Sequence, residues 1–271
     1  MGGARVSLDR EMVRRGLAEN REAAASAIAQ GRVRVEGVGL PTASARIGTG
    51  TPIWLVAPPR TTVSRGADKL GPALDRLGVA VAQRRALDAG ASTGGFTNCL
   101  LDRGAAVVVA VDVGYGQLAW RLRQDPRVRV LDRTNVRNLT PQMVTERPNL
   151  VVADLSFISL RKVLPALVRV AEADADFVLL VKPQFEARRS EVSRGGLVRD
   201  PAIWRKVLRE VCSAAEGCGL MFVGAAVSSV AGRRGNVEFF VHFGSPREGG
   251  PALLNALERA VVEASERFGD K

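Results

Sequence analysis

Cysteine is scarce. The three present, Cys99, Cys212 and Cys218, form no C-x-x-C pair, and any disulfide would leave one over. That pattern argues against a metal site and for a reduced, cytosolic compartment. Long apolar runs are missing as well. No stretch approaches the ~18 residues a membrane helix needs; the longest, AAVVVAVDV and FVLLV, have strand lengths. No apolar stretch of signal-peptide type opens the sequence. Aromatic residues make up 5%, few anchors for a helix lying in a membrane interface. Only five of the 39 basic residues are lysines, and no extended Lys-rich amphipathic helix occurs. The single histidine, His242, falls in the alternation of a late strand and reads as structural.

What is present is ordinary apolar content and unusual charge. Hydrophobic residues are 46% and charged residues 25%, values of a globular protein. The 271 residues suffice for one large or two smaller domains. The net charge of +11 favours polyanionic partners such as RNA, DNA or acidic membrane surfaces. A genome bias towards arginine would produce the same excess.

Residues 5 to 56 have their own rhythm. SLDREMVRRGLA places Leu8, Met12, Val13 and Leu17 on one helical face, with Gly16 marking its end. In NREAAASAIAQG, Asn20 suits an N-cap, Glu22 the first turn and Gly31 the C-terminal cap. RVRVEG alternates, with Val33 and Val35 opposite Arg32 and Arg34, and TPIWLV is a second short strand. Two helices and a small hairpin make a module carrying nine arginines against five acidic residues over positions 1 to 60. Guanidinium groups on such a surface can fork onto phosphates, although solvated helix faces carry the same charges. The segment RVSLDREMVRRGLAENREAAASAIAQGRVRVEGV resembles the α-L RNA-binding motif of a small-subunit ribosomal protein and many pseudouridine synthases. It departs at Asn20-Arg21, where that family usually has Ser-Arg. The resemblance implies structured-RNA binding through Arg5, Arg14, Arg15 and Arg21. APPRTTVSRG then reads as a linker. The expected organisation is an RNA-binding domain over 1–59, a linker over 60–66 and a second domain over 67–271.

In the second domain apolar strands alternate with helical segments. Strands are expected at 86–89, 107–112, 128–131, 150–154, 177–181, 222–227 and 237–243. Helices are expected near 95–103, 117–122, 160–171, 201–218 and 252–267. This is an α/β pattern: a mostly parallel sheet of seven strands buried on both faces, with the last strand antiparallel. Ligands of such sheets bind beyond the carboxyl ends of the strands. There lies ALDAGASTGGF, whose glycines at 90, 94 and 95 miss the G-x-G-x-x-G spacing and the G-K-[ST] ending of nucleotide loops. Asp88 precedes the turn, a poor neighbour for a pyrophosphate and a good one for a cation. Asp112 ends the next strand, where a carboxylate can take both ribose hydroxyls. The combination suits S-adenosylmethionine in a Rossmann-like class I methyltransferase, with NAD binding as the alternative.

Four charged residues fall at matched places: Lys69 just before the first strand, Asp154 and Lys182 ending the fourth and fifth, and Glu238 starting the last. Each alone reads more readily as a solvated strand-end charge. Together they are similar to the Lys-Asp-Lys-Glu tetrad of FtsJ-like ribose 2′-O-methyltransferases. A ribose hydroxyl must lose its proton as it attacks the methyl. A lysine becomes the base only when burial or a like charge lowers its pKa from ~10.4. Here Lys182 is the expected base, Asp154 its main partner, and Lys69 and Glu238 tune and position.

The stretches VSRGADKL, LDAGASTGGFT, DVGYGQLAW, LDRTN, ADLSFISL, VKPQFE and GNVEFF, behind the front module, together resemble the TlyA family, also called hemolysin A. The resemblance runs from about residue 5 to 267. It implies ribose 2′-O-methylation of cytidines in small- and large-subunit rRNA, S-adenosylmethionine as cofactor, no metal, a cytoplasmic and monomeric protein, and sensitivity to capreomycin-type antibiotics. It implies cofactor contacts from Asp88, Gly90, Ala91, Ser92, Thr93, Gly94, Gly95, Phe96, Asp112, Val113 and Asp154, with Asp132, Thr134 and Asn135 on the adenine side. SFIS would flank the methyl donor or the incoming nucleotide. Two other readings stand beside this one: a non-catalytic rRNA-binding assembly factor, which the intact tetrad argues against, and a membrane-active cytolysin, which composition does not support. EARRSEVSRGGLVRD, residues 186 to 200, reads either as a mobile loop over an RNA entrance or as a solvated connection. Arg233 and Arg234 are candidate phosphate contacts.

Overall fold

A computed structural model of the chain describes residues 5–18, 20–29, 31, 33–55, 65–244 and 253–269, without the side chains of Arg65 and Arg233. The chain divides into two compact units, Met1–Thr61 and Thr62–Lys271.

The first unit contains β1 (Arg5–Ser7), α1 (Leu8–Arg14), α2 (Arg21–Ala29), β2 (Val33–Val35), β3 (Arg46–Gly48) and β4 (Ile53–Leu55). Its core is Leu8 and Met12 from α1, Ala24, Ala27 and Ile28 from α2, and Val33, Val35 and Ile47 from the strands. The α1 segment ends where Gly16 turns to φ +69, a conformation a Cβ disfavours. Asn20 caps α2, its Oδ1 accepting from the Ala23 amide at 2.8 Å. The expected hairpin is β2 paired antiparallel with β4. A second pair, β1 with β3, was not anticipated.

The arginines named as an RNA face are largely occupied inside this unit. The Glu11 carboxylate, 1% exposed, accepts from Arg14 at 2.6 Å and Arg15 at 2.7 Å. Arg15 also donates to the Thr49 and Thr51 carbonyls, so it latches the β3–β4 turn to α1. Arg21 pairs with Asp9 at 2.7 Å and Arg14 with Glu11, yet both arginine side chains stay more than half exposed. Arg5 is exposed on β1. The hydrogen bond from Arg14 is the main cause holding the Glu11 carboxyl down at about 2. A depressed folded-state pKa gives stability that is complete above the unfolded value near 4.5 and is lost as pH falls towards 2. Protection of the amides of this unit, measured against their intrinsic exchange rates, is therefore expected to fall between those values. Glu11→Gln should exchange faster at neutral pH and lose that acid dependence.

The second unit runs α3 (Arg65–Leu77), β5 (Arg85–Ala89), α4 (Gly95–Asp102), β6 (Val107–Val111), α5 (Trp120–Arg123), β7 (Val128–Leu131), α6 (Pro141–Val144), β8 (Leu150–Ala153), α7 (Leu164–Val170), β9 (Asp176–Val181), α8 (Pro183–Glu186), α9 (Pro201–Glu216), β10 (Met221–Val227), β11 (Phe239–Gly244) and α10 (Leu253–Phe268). The sheet order is β10-β11-β9-β8-β5-β6-β7. Strands β5 to β9 pair in parallel, and β11 lies antiparallel to both β9 and β10, as expected. Successive residues of each strand point to opposite faces. Phe177, Leu179 and Val181 join a core with Trp204, Val207, Leu208 and Val211 of α9. Val178 and Leu180 join a second core with Leu70 and Leu74 of α3 and Leu100 of α4. Both faces are covered, which is why β6 and β8 read as unbroken Val/Ala/Leu runs.

Several boundaries differ from expectation. Residues 60–64 of the expected linker lie outside the described residues, and α3 begins inside that linker at Arg65. Lys69 is thus a helix residue rather than part of a loop before the first strand. Leu70, Ala73, Leu74 and Leu77 give α3 its i, i+3, i+4, i+7 spacing; Pro72 inside the helix obscured it. The helix expected over 117–122 is the single turn α5, and that over 160–171 splits into a 3-10 turn, Leu160–Lys162, and α7, where Pro165 suits a helix start. Glu238 immediately precedes β11 instead of starting it.

Candidate active site

The glycine turn joins β5 to α4 at the carboxyl edge of the sheet. Gly90 adopts φ +89, and a Cβ there would lie 2.5 Å from the Asp154 carbonyl oxygen. Gly94 adopts φ +97, and its Cβ would meet Leu122 and Leu118. Both glycines are required by geometry: one lets the turn press against the end of β8, the other lets α5 pack on it. Gly90→Ala should therefore lower the melting temperature by about 5 °C or more. It should also weaken cofactor binding, since Asp154 has to move; unchanged stability by calorimetry would contradict the close approach. Ser92 and Thr93 are exposed at the turn's crest, whereas Ala91 and Gly95 are buried. Phe96 is a core residue whose ring stacks on Phe240 at 6.1 Å between centroids, so only its backbone faces the turn region.

Three carboxylates end three neighbouring strands. Asp88 on β5 has no exposed surface. Its Oδ2 accepts from Thr97 Oγ1 at 2.7 Å, while its Oδ1 is buried without a partner. Burial, aided by the charges of Asp154 and Asp112, pushes its pKa up to about 7. Asp112 accepts from the Ser92 amide at 2.8 Å and the Gly114 amide at 2.7 Å, one on each oxygen. Each oxygen keeps a second lone pair free for a ribose hydroxyl. Around it, Val113 is exposed, and Asp132 pairs with Arg123 at 2.5 Å. Thr134 bonds back to the Asp112 and Asp132 carbonyls, and Asn135 caps the following 3-10 turn. Arg133, at φ +52, stacks on the exposed ring of Tyr115 at 4.3 Å.

The four charged residues form two ion pairs. Lys182 Nζ lies 2.5 Å from Asp154, and Lys69 Nζ lies 2.6 Å from Glu238. Phe239 pairs with Val181 across β11 and β9, so Glu238 and Lys182 are the next residues along the same rim. Lys69, Lys182 and Glu238 are each buried. Glu238 meets the Lys69 ammonium directly, as Asp154 meets that of Lys182. Apart from Asp154, Lys182 also donates to Ser156 Oγ at 3.0 Å.

Sequence reading assigned no role to Glu186, and the structure gives it one. Its buried carboxylate accepts from Ser159 Oγ at 2.5 Å, the Leu160 amide at 2.6 Å and Arg161 at 3.3 Å. Lys182 and Glu186, one helical turn apart, therefore clamp both ends of residues 154–161. Between the clamps Phe157 sits at φ +64 and 90% exposed, its ring 5.1 Å from that of Phe185. A non-glycine residue held in that conformation, beside a buried lysine, is strain stored at a site. In the first unit, Arg34 and Trp54 face each other across β2 and β4, both exposed. That basic-aromatic pair was also missed, for want of a visible register. Among the described residues no grouping of His, Cys, Asp and Glu could hold a metal. No described helix is long and apolar enough to cross a membrane.

Residues 62–245 match the model of the FtsJ-like methyltransferases. The chain is 50% identical over 263 residues to the 16S/23S rRNA (cytidine-2′-O)-methyltransferase TlyA of Mycobacterium tuberculosis, covering 96% of this chain and 98% of that protein. It is 38% identical to Hemolysin A of Brachyspira hyodysenteriae, over 88% of this chain and 99% of that protein. A solved structure of a hemolysin-named protein from Streptococcus thermophilus superposes with a TM-score of 0.73 at 36% identity, covering 98% of this chain and 97% of that one.

Proposed function

This chain belongs to the FtsJ-like methyltransferase family, and from that premise we propose that it transfers a methyl group from S-adenosylmethionine to a cytidine ribose 2′-hydroxyl in ribosomal RNA. The observation that carries the reading is the pair of buried lysine–carboxylate contacts, Lys182–Asp154 and Lys69–Glu238, at the rim beside the glycine turn.

The residues around the turn fit the cofactor. The orphaned Oδ1 of Asp88 and the neighbouring carboxylates of Asp112 and Asp154 favour a cation over a pyrophosphate. Asp112 retains acceptor capacity for ribose hydroxyls, and Val113, Asp132, Thr134 and Asn135 would border the adenine. When bound, S-adenosylmethionine supplies an electrophilic methyl group on a sulfonium. Lys182 Nζ, held in place by Asp154 and Ser156, takes the 2′-hydroxyl proton after passing its own ammonium proton to Asp154. Lys69 and Glu238 position one another beside it. Phe157 offers an exposed ring to a nucleobase drawn out of its stack, the usual device of enzymes that modify nucleotides within structured RNA. The basic first unit binds structured RNA, with Arg5, Arg14 and Arg21 reaching phosphates and Arg15 holding the fold that presents them. A ribosomal substrate implies a cytoplasmic protein.

The test is incubation with tritiated S-adenosylmethionine and separated ribosomal subunits, followed by mass spectrometry of rRNA fragments. A 2′-O-methylcytidine in 16S, 23S or both is the expected result. Cofactor binding with no methyl transferred to either subunit would favour an assembly factor instead.

A further inference from the structure

The β10–β11 loop, residues 228–238, ties three parts of the second unit together. It is closed at its base by the Ser228 amide on the Glu238 carbonyl at 2.9 Å, and nearer its tip by the Gly232 amide on the Asn236 carbonyl at 2.8 Å. Ser229 Oγ donates to the Asp68 carbonyl at 2.6 Å, next to Lys69 on α3. Gly232 lies so close to the Glu238 carboxylate that a Cβ there would be 2.1 Å from Glu238 Oε1. The loop thus encloses the acid of the Lys69–Glu238 pair.

Asn236 connects this enclosure to residues 186–200. Its side chain is buried, 4% exposed. Oδ1 accepts from the Val198 amide at 3.0 Å, and Nδ2 donates to the Gly196 carbonyl at 2.9 Å. Arg234, at φ +62, adds a hydrogen bond to the Gly195 carbonyl at 3.0 Å. A buried amide with both ends satisfied by one backbone segment fixes that segment in place, since leaving either end unpaired costs about 1–3 kcal/mol. The segment so held carries four exposed arginines, Arg188, Arg189, Arg194 and Arg199. The alternative of a freely moving loop is therefore set aside for residues 195–198.

We propose that Asn236 is a positioning residue that couples the arginine-bearing loop to Glu238, so that an RNA backbone gripped there and the Lys69–Glu238 pair are held in one register. The proposal rests on the 2′-O-methyltransferase reading above. In this role Asn236 acts through Gly232 and the closed loop rather than by contact with substrate or cofactor.

A double-mutant cycle tests it on the full chain with ribosomal subunits. Asn236→Ala is expected to lower kcat about tenfold, but less than about twofold when Glu238 is already Gln, because the two changes break one device. Asn236→Ser keeps a hydroxyl that can accept from Val198 and loses the reach to Gly196, so its loss should be intermediate, at about threefold. It also serves should the alanine variant fold poorly. S-adenosylmethionine affinity should stay within about twofold in all of them. Losses that multiply independently, or an unchanged kcat with only a lower melting temperature, overturn the coupling. Hydrogen exchange separates the two readings. Faster exchange across residues 228–238 in Asn236→Ala, with β9 unaffected, supports the latch even if wild-type protein methylates no RNA. Unchanged exchange there refutes it even if wild type is active.

Discussion

Lys182→Ala is expected to reduce methyl transfer by about 10³-fold, at the middle of the range for losing a positioned general base, while S-adenosylmethionine affinity changes by less than about threefold. The reasoning is local. Nζ of Lys182 is buried, 2.5 Å from Asp154 and 3.0 Å from Ser156, and is brought beside Glu238 by the β9–β11 register. On the proposed reading, removing it deletes the proton acceptor at a fixed point, and it leaves Asp154 without its partner. Asp154 is 22% exposed, so water can meet the abandoned carboxylate and the fold should survive. Glu238→Gln keeps the shape and leaves the Lys69 charge unmet; its loss should be smaller, about 10- to 100-fold. Single-turnover rates with saturating cofactor, beside melting curves, check both. A Lys182→Ala protein that transfers methyl at the wild-type rate removes that lysine from the chemistry.

The large unit was legible because its signals are long and repeated. Seven apolar runs at strand length, separated by helical segments, leave little freedom in a doubly covered sheet, and the absence of a helix between the last two strands told that β11 turns back. The placement of Asp154, Lys182 and Glu238 at one edge follows from that topology. What the sequence hid is contact made across long separations. Nothing in the order of residues says that Glu238, rather than water, meets Lys69, since the two are 169 positions apart. Glu186 was visible as a letter in VKPQFE, but its service to Ser159 and Leu160 depends on how α8 turns back over the loop after β8. The ion pairs of the small unit were hidden for a related reason. Arginines at helical spacing look free until Asp9 and Glu11 on the same short helix claim them. Phe96 illustrates the opposite error. It stands inside the glycine motif, yet its ring belongs to the core because α4 rotates it towards β11.

Replacing Asp88 by asparagine should separate stability from binding. Burial raises the Asp88 pKa to about 7, against about 3.9 in an unfolded chain. The folded state thus holds this proton more tightly, so the contribution is complete below the unfolded value and is lost as pH rises through 7. Three units correspond to about 4 kcal/mol by pH 8. Asparagine cannot ionise and can still accept from Thr97, though its amide hydrogens inherit the unpartnered position of Oδ1. That costs about 1–3 kcal/mol. The ligand-free variant should therefore be about 1–3 kcal/mol more stable than wild type at pH 8, with the advantage vanishing near pH 5. S-adenosylmethionine reverses the order. A cation placed beside an ionised Asp88 is favoured, so wild-type affinity should rise with pH through 7, and binding at pH 6.5 should release protons to buffer. Asp88→Asn should bind the cofactor about 10- to 100-fold more weakly, without proton release. Calorimetric titrations in buffers of differing ionisation enthalpy measure both terms. Equal affinity and equal proton counts for the two proteins would mean that the buried carboxylate faces no cation, and that the acid in the glycine motif serves only to hold Thr97 and the start of α4.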